Sequence, residues 1–458
     1  MDNFFDRLSG LGVRYVCISP GSRSTALTLS ASAHKKLSCF VNTDERNSAF
    51  FALGLAGSSG KPVVIITTSG TAAAELYPAI IEAYQQRIGL IVCTADRPPE
   101  LIGRGTNQTI NQDNIYKNHI RFYKNAGLPE ISVSAITRVR KLAEESFYTS
   151  TQGPVHINFP FRKPFEPHSY TDEINNQTLK LLEKLKSDET LIQVKDEKLS
   201  KGLYNKILSS IIKAERGLVL AGPMKYDINT KMAIVRFAER LGYPIVADAC
   251  SQLRFGTQSN NVISNYEGYL GNSAFIKSHN PDLIIQFGRT PSSKAIDIYI
   301  DNTGTSRYII NEYRDLFDPW NSASGVLKCS PSLFSQMILQ DTRLAERYNN
   351  RDWLNQFILA DNLSRKIQDK IVNRTAFPNE CRIIPEVMSE LSDNTHIMIS
   401  NSMPVRDLDY FLHPTGKKLI IHSNRGASGI DGIVSTALGI QRAVNRPTIL
   451  ITGDLAFY

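Results

Sequence analysis

The chain has 458 residues, 42% hydrophobic and 21% charged, with 52 basic against 44 acidic side chains and a formal net charge of +8. This is ordinary globular composition, which excludes a disordered or fibrous chain, and at about 150 residues per domain it predicts three domains. No basic run interleaved with aromatics appears, which argues against nucleic-acid binding; small anionic ligands account for the positive balance equally well.

The opening residues, MDNFFDRLSG, lack the basic stretch and apolar run of a secretory signal, and no segment approaches the length of a membrane span. Cys17, Cys39, Cys93, Cys250, Cys329 and Cys381 are far apart with no CxxC pair, and several sit in apolar runs. Buried free thiols in a reducing compartment are expected, hence a cytoplasmic protein.

Up to about Phe165, short β-rich runs alternate with helical patterns. Strands are predicted over Val13–Ile18, Leu37–Val41, Pro62–Thr67, Gly89–Thr94 and Pro154–Phe159, with helices over Arg46–Ala56 and Ala72–Ala83 between them. The alternation predicts a parallel sheet covered by helices. A polar, charge-rich segment near residues 166–200 reads as a linker. A second α/β unit begins near Gly202, with strands over Gly217–Gly222, Tyr243–Asp248 and Asp282–Gly288 and a helix over Met232–Leu241. After a polar helical stretch, Leu344–Arg374, a third unit carries strands over His396–Ser400, Lys418–His422 and Pro447–Thr452. The expectation is an α/β chain of three successive parallel-sheet domains (1–180, 200–345 and 346–458), the third cut short.

Ligands of open parallel sheets bind beyond the carboxyl ends of the strands, and the polar residues of this chain gather there. After the first strand, Ser19-Pro-Gly-Ser-Arg-Ser-Thr25 makes a tight turn into a helix start, with Ser22 and Arg23 suited to a carboxylate or phosphate. A cation at a helix entrance opposes the dipole, which favours a functional reading of Arg23 over a simple cap. Asp44-Glu45 follows the second strand, a pair that would serve equally as a helix N-cap. The third strand ends in a Ser/Thr/Gly turn at Gly70, and the fourth in Ala95-Asp-Arg-Pro-Pro-Glu100, holding Arg97 and, further on, Gln108 on a constrained loop. In the third unit, Ser402 and Arg406 are one helical turn apart, and Ser423–Gly432 is glycine-rich with Arg425, Gly429 and Ile430. A buried strand then delivers Gly453-Asp454, the way many α/β enzymes offer a carboxylate to a divalent cation on a diphosphate. The eight histidines show no metal-ligand spacing, and the middle unit lacks GxGxxG.

Taken together, SPGSRST, TDER, TSGTAAAELYPA, TADRPPELI with GTNQ, NSMPVR, SNRGASGIDG and GDLAFY resemble the 2-succinyl-5-enolpyruvyl-6-hydroxy-3-cyclohexene-1-carboxylate synthase family of thiamine-diphosphate-dependent enzymes. The resemblance spans nearly the whole chain and is weakest in the middle unit. It implies a pyrimidine-binding domain, a central domain and a diphosphate-binding domain. It also implies a homodimer or homotetramer with active sites between subunits, so that Glu45 and Asp454 of one chain serve different sites. It implies decarboxylation of 2-oxoglutarate and 1,4-addition of the succinyl unit to isochorismate in menaquinone biosynthesis.

Position by position, Glu45 matches the glutamate on the cofactor's aminopyrimidine. A carboxylate there favours the imino tautomer, whose exocyclic nitrogen takes the C2 proton. Ile430 matches the apolar wedge that bends the cofactor, Gly70, Ser402 and Gly429 match cofactor contacts, and Asp454 matches a ligand of Mg2+ (or Mn2+). Both substrates are dicarboxylates. Ser22, Arg23, Arg97 and Lys294 match positions facing isochorismate, Ser402 and Arg406 the succinyl carboxylate, and Gln108 and Arg425 the same pocket; arginine forks pair carboxylates bidentately. Two departures stand out. Ala295 follows Lys294 where a Lys-Arg pair is expected. The metal's asparagine is also absent, which predicts weak cofactor binding and incomplete activity of this chain alone. Competing readings are a pyruvate-specific carboligase, against which the many arginines speak, and a non-catalytic module, against which Glu45 speaks.

Overall fold

A computed structural model describes residues 1–165, 176, 180, 199–345, 349–376 and 378–458. Most of the expected linker near 166–200 lies outside the described residues. The chain divides into two compact units, Met1–Val194 with Asn424–Tyr458, and Lys195–Ser423.

The first unit holds a six-stranded parallel sheet: β1 (Tyr15–Ile18), β2 (Ser38–Val41), β3 (Val63–Thr67), β4 (Leu90–Asp96), β5 (Phe122–Asn125) and β6 (Val155–Pro160), in the order β2-β1-β3-β4-β6-β5. Its central strands β1, β3 and β4 read as near-continuous apolar runs because both faces are covered. In β1, Val16 and Ile18 enter one core with Phe4, Leu8 and Ile91, while Cys17 enters the opposite core with Phe50, Leu53 and Val92. In β3, Val64 and Ile66 face the first core, Val63 and Ile65 the second. This is the two-residue period of a pleated strand. Helix α1 (Asp2–Leu11) precedes β1, and α2 (Thr25–Ala33), α3 (Glu45–Ser59), α4 (Thr71–Glu75), α5 (Tyr77–Gln86) and α6 (Val133–Ser150) lie between strands. The single helix expected over Ala72–Ala83 is two, α4 and α5, because Pro78 in the first turn of α5 has no amide to continue the helix before it. The polar strand β5 was not foreseen.

The first unit also contains the helix Ile433–Val444 and a strand Thr448–Ile451. That helix crosses α3 closely enough that side chains would collide. A Cβ on Gly54 would fall on the carbonyl oxygen of Thr436, and one on Gly439 on that of Phe51. Gly54→Ala is therefore expected to lower the unfolding free energy by about 1–3 kcal/mol, the overpacking cost outweighing the helix propensity gained. Gly10→Ala in α1, where a Cβ meets nothing within 4 Å, is expected to raise it by about 0.5–1 kcal/mol. Urea melts of the two variants check both signs.

The second unit holds a six-stranded parallel sheet in the order β12-β11-β10-β7-β8-β9, made of β7 (Gly217–Ala221), β8 (Ile245–Ala247), β9 (Val262–Ile263), β10 (Leu283–Phe287), β11 (Ser306–Asn311) and β12 (Ala323–Lys328). The order reverses between β7 and β10, the usual place for a ligand crevice. Here backbone fills it: Gly222 N–H donates to the Phe287 carbonyl at 3.0 Å, Arg289 N–H to that of Pro223 at 3.0 Å, and a Cβ on Gly222 would strike the Arg289 carbonyl. The middle glycines are thus structural, as their sequence pattern suggested. This unit also pairs β13 (His396–Ile399) with β14 (Ile420–His422) in parallel. No helix among the described residues is long and apolar enough to cross a membrane.

Candidate active site

In the first sheet the order reverses between β1 and β3, and the loops leaving their carboxyl ends interlock. A Cβ on Gly21 would collide with the Thr68 side chain, so glycine is required for the two turns to touch. Ser24 Oγ donates to the Gly21 carbonyl at 2.9 Å and Thr25 Oγ1 to that of Ser22 at 2.7 Å. Those two hydroxyls hold the turn, while Ser22 stays exposed.

Around this crevice stand two guanidiniums, Arg23 and Arg97, each only 8% exposed. Arg23 donates from Nη1 to the Phe161 carbonyl at 2.6 Å and lies 4.5 Å over the Phe165 ring. Arg97 donates to Ser69 Oγ and, at 2.6 Å, to the Asn107 carbonyl. The Nε of each is buried with no hydrogen-bond acceptor. Burial pulls both guanidinium pKa values down, and Arg97 pulls that of Arg23 further by repulsion. The nearby carboxylate, Asp96, attracts both and opposes that shift; its own pKa is raised by burial although Asn158 donates to it at 2.8 Å. Two largely buried cations share the one carboxylate of Asp96, and each keeps an Nε donor with no acceptor, so the crevice favours a further anion. The fork of arginine suits a carboxylate.

A polar network fixes the floor. Gln112 donates to Asn158 Oδ1 at 3.0 Å and accepts from Gly70 N–H at 2.9 Å, and Thr94 Oγ1 donates to Asn158 Oδ1 at 2.8 Å. Gln108 donates to the Ser69 carbonyl at 3.2 Å, so Gly70, Arg97 and Gln108 share one framework. Asp96, Gln112 and Asn158 were not singled out from sequence. Asp96 lies inside the TADRPP motif and was within reach; the other two carry no local signal.

At the end of β2, Asp44 caps α3 by accepting from Asn47 N–H at 2.8 Å. The bland reading of the acid pair thus applies to Asp44, which leaves Glu45, half-buried in the first turn, with no partner of its own among the described residues. The start of the Ile433–Val444 helix lies alongside: Ser435 Oγ donates to Asn47 Oδ1 at 3.3 Å, and a Cβ on Gly432 would run into the Phe50 ring. The glycine-rich loop before that helix leaves Ile430 exposed and Arg425 partly exposed. Its Gly426, Ala427 and Ser428 amides donate to the carboxylate of Glu82 at 2.6, 2.6 and 3.3 Å.

Asp454 opens the short helix Asp454–Phe457 with its side chain exposed, and a Cβ on the preceding Gly453 meets nothing within 4 Å. No group of three or more His, Cys, Asp or Glu suited to a metal exists among the described residues. A single open carboxylate fits a magnesium ion that draws its other ligands from phosphate oxygens and water.

In the second unit, Ser402 precedes the helix Met403–Phe411 at its N-cap position without a side-chain capping hydrogen bond, and Arg406 stands exposed one turn on. The Ser402 backbone, at φ 72° and ψ −127°, matches Gly70 at φ 84° and ψ −139°. For a residue with a side chain this conformation costs about 1–3 kcal/mol. Asp409 pins the helix: its carboxylate accepts from Arg254 at 2.6 Å, Tyr266 at 2.7 Å and Ala249 N–H at 2.8 Å. Lys294, exposed, starts the helix Lys294–Thr303, whereas Ala295 is 5% exposed in the apolar core with Leu270, Ile276 and Tyr299. A second cation at 295 would enter that core, so alanine there is a packing choice.

Residues 1–115 match the family model of the thiamine pyrophosphate enzyme N-terminal TPP binding domain, and residues 178–399 the middle domain of thiamine pyrophosphate enzymes. The chain is 35% identical to the 2-succinyl-5-enolpyruvyl-6-hydroxy-3-cyclohexene-1-carboxylate synthase of Haloquadratum walsbyi, over 99% of this chain and 79% of that protein. It is 35% identical to the synthase of the same name from Bacillus cytotoxicus, over 99% and 77%, and 34% identical to that of Bacillus velezensis, over 100% and 78%.

Proposed function

The chain belongs to the 2-succinyl-5-enolpyruvyl-6-hydroxy-3-cyclohexene-1-carboxylate synthase family of thiamine-diphosphate-dependent enzymes, and from that premise we propose how its residues divide the work. It is a transferase that decarboxylates 2-oxoglutarate and adds the succinyl unit in 1,4 fashion to isochorismate, releasing CO2, in menaquinone biosynthesis. Thiamine diphosphate, with a divalent cation on its phosphates, supplies the carbon nucleophile and the electron sink.

Glu45 holds a proton on the cofactor's aminopyrimidine nitrogen, and Ile430, exposed at its loop, bends the cofactor by contact. Gly70 and Gly429 allow close backbone approach, Ser402 contacts both cofactor and substrate, and Asp454 is the cation's carboxylate ligand. Arg23 and Arg97, with Ser22, Gln108 and Lys294, receive isochorismate; Ser402 and Arg406 receive the distal carboxylate of 2-oxoglutarate; Arg425 lines the same pocket. The domains are taken as pyrimidine-binding 1–180, central 200–345 and diphosphate-binding 346–458. A homodimer or homotetramer that shares its sites across subunits is supported by the exposed apolar stripe Leu359, Leu363, Ile367 and Ile371, four residues apart on the helix Arg351–Arg374. A reducing cytoplasmic setting is supported by six free cysteines, of which Cys17 and Cys93 are fully buried with thiol pKa values raised by burial.

The observation that carries the acceptor assignment is the pair of buried guanidiniums whose Nε atoms meet no acceptor, which the two carboxylates of isochorismate would engage; the donor's distal carboxylate falls to Arg406, exposed one turn after Ser402, a cation that pyruvate would leave unused. With isochorismate present, kcat/KM for CO2 release from 2-oxoglutarate is expected to exceed that from pyruvate by about 100-fold or more. Equal rates would favour the pyruvate carboligase reading.

A further inference from the structure

Glu82 belongs to no motif in the sequence and sits in the middle of α5, yet it is 3% exposed. Its partners are 344 to 346 residues away: both carboxylate oxygens are taken by the consecutive amides of Gly426, Ala427 and Ser428, and Gln86 also donates to it. The fit is close from the loop side too. A Cβ on Gly426 would stand 2.8 Å from both the carbonyl and the carboxylate oxygen of Glu82 and 2.9 Å from Gln85 Cβ. Consecutive backbone amides converging on one carboxylate form an anion nest, here filled from within the protein. The clamp is flanked by Arg425 on one side and by Gly429 and Ile430 on the other.

We infer that Glu82 is a positioning residue, whose buried carboxylate fixes the Arg425–Ile430 loop in the shape that receives the cofactor and an anionic substrate group. This rests on the reading of Ile430 and Gly429 as cofactor contacts. A glycine-rich loop left to itself samples many conformations, each reducing the fraction competent to bind; three charge-assisted hydrogen bonds from a rigid helix remove that loss.

The test uses the complete protein with Mg2+ and thiamine diphosphate as probes. In Glu82→Gln one oxygen becomes an NH2 facing an amide. Hydrogen exchange at Gly426–Ser428 is expected to quicken about tenfold or more. Thiamine diphosphate affinity by calorimetry is expected to fall about 10- to 100-fold, with kcat at saturating cofactor much less affected and partial recovery in Glu82→Asp. Gly426→Ala strikes the same contact from the loop side and should reproduce the effect, which keeps the test available if Glu82→Gln does not fold. Unchanged amide exchange would overturn the clamp. Faster exchange with unchanged affinity, while Ile430→Ala weakens cofactor binding, would overturn the positioning role and leave the cofactor reading standing. If Ile430→Ala also leaves affinity unchanged, the cofactor reading itself fails, and the inference with it.

Discussion

Glu45→Gln is expected to lower kcat by about 10²- to 10⁴-fold, the usual contribution of one positioned proton-transfer group, while the fold and substrate binding survive. The structure separates this effect from a structural one. Asp44 already satisfies the start of α3 through Asn47 N–H at 2.8 Å, so the helix does not depend on Glu45. The substitution removes only a charge near the positive end of a helix, worth about 0.3–1 kcal/mol. Asp44→Ala should give the reverse pattern, costing about 1 kcal/mol of stability with kcat largely kept. Steady-state kinetics and thermal melts on the two variants resolve neighbouring acids into a chemical and a structural one.

Arg97→Lys is expected to reduce kcat/KM for isochorismate by about 100-fold, because the charge is retained but the fork is lost; Arg97→Met should lose at least as much, consistent with about 2–5 kcal/mol for breaking a buried charge pair. Before substrate arrives, burial lowers the pKa of both guanidiniums and Arg97 lowers that of Arg23 further, with attraction to Asp96 opposing the shift at each; an anion bound between them is expected to stabilise the wild-type protein. Adding isochorismate should accordingly raise the melting temperature of the wild-type protein more than that of the variants. A kcat/KM within threefold of wild type for Arg97→Lys would mean that the guanidinium is held for its bonds to Ser69 and Asn107 alone.

Much of this was legible in the sequence because parallel sheets write their plan twice. Buried strands such as β1, β3 and β4 are continuous apolar runs, and the polar residues that follow them stand where ligands bind. Arg23, Arg97 and Gly70 were found by that rule, and the structure groups them around one reversal of strand order. Four strands, β5, β9, β11 and β12, were not foreseen; β9 is only two residues long and β11 is a buried run that was overlooked, whereas the other two break the rule. β5 and β12 are edge strands with largely partly exposed or exposed residues, so burial never required an apolar run. The role of Ala295 depends on its lying in the core, which neighbouring residues do not announce. Glu82 could not be read at all: one acid among the apolar positions of α5 looks like a solvated face, and only the return of the chain more than 340 residues later makes it a clamp.

The central claim is that the carboxylate at residue 45 promotes removal of the C2 proton from bound thiamine diphosphate. Hydrogen–deuterium exchange at that carbon, measured by quench-flow and NMR on the complete protein without substrate, tests it directly. Exchange in Glu45→Gln is expected to be about 10²-fold slower or more than in the wild-type protein; equal exchange rates with cofactor bound in both would contradict the account.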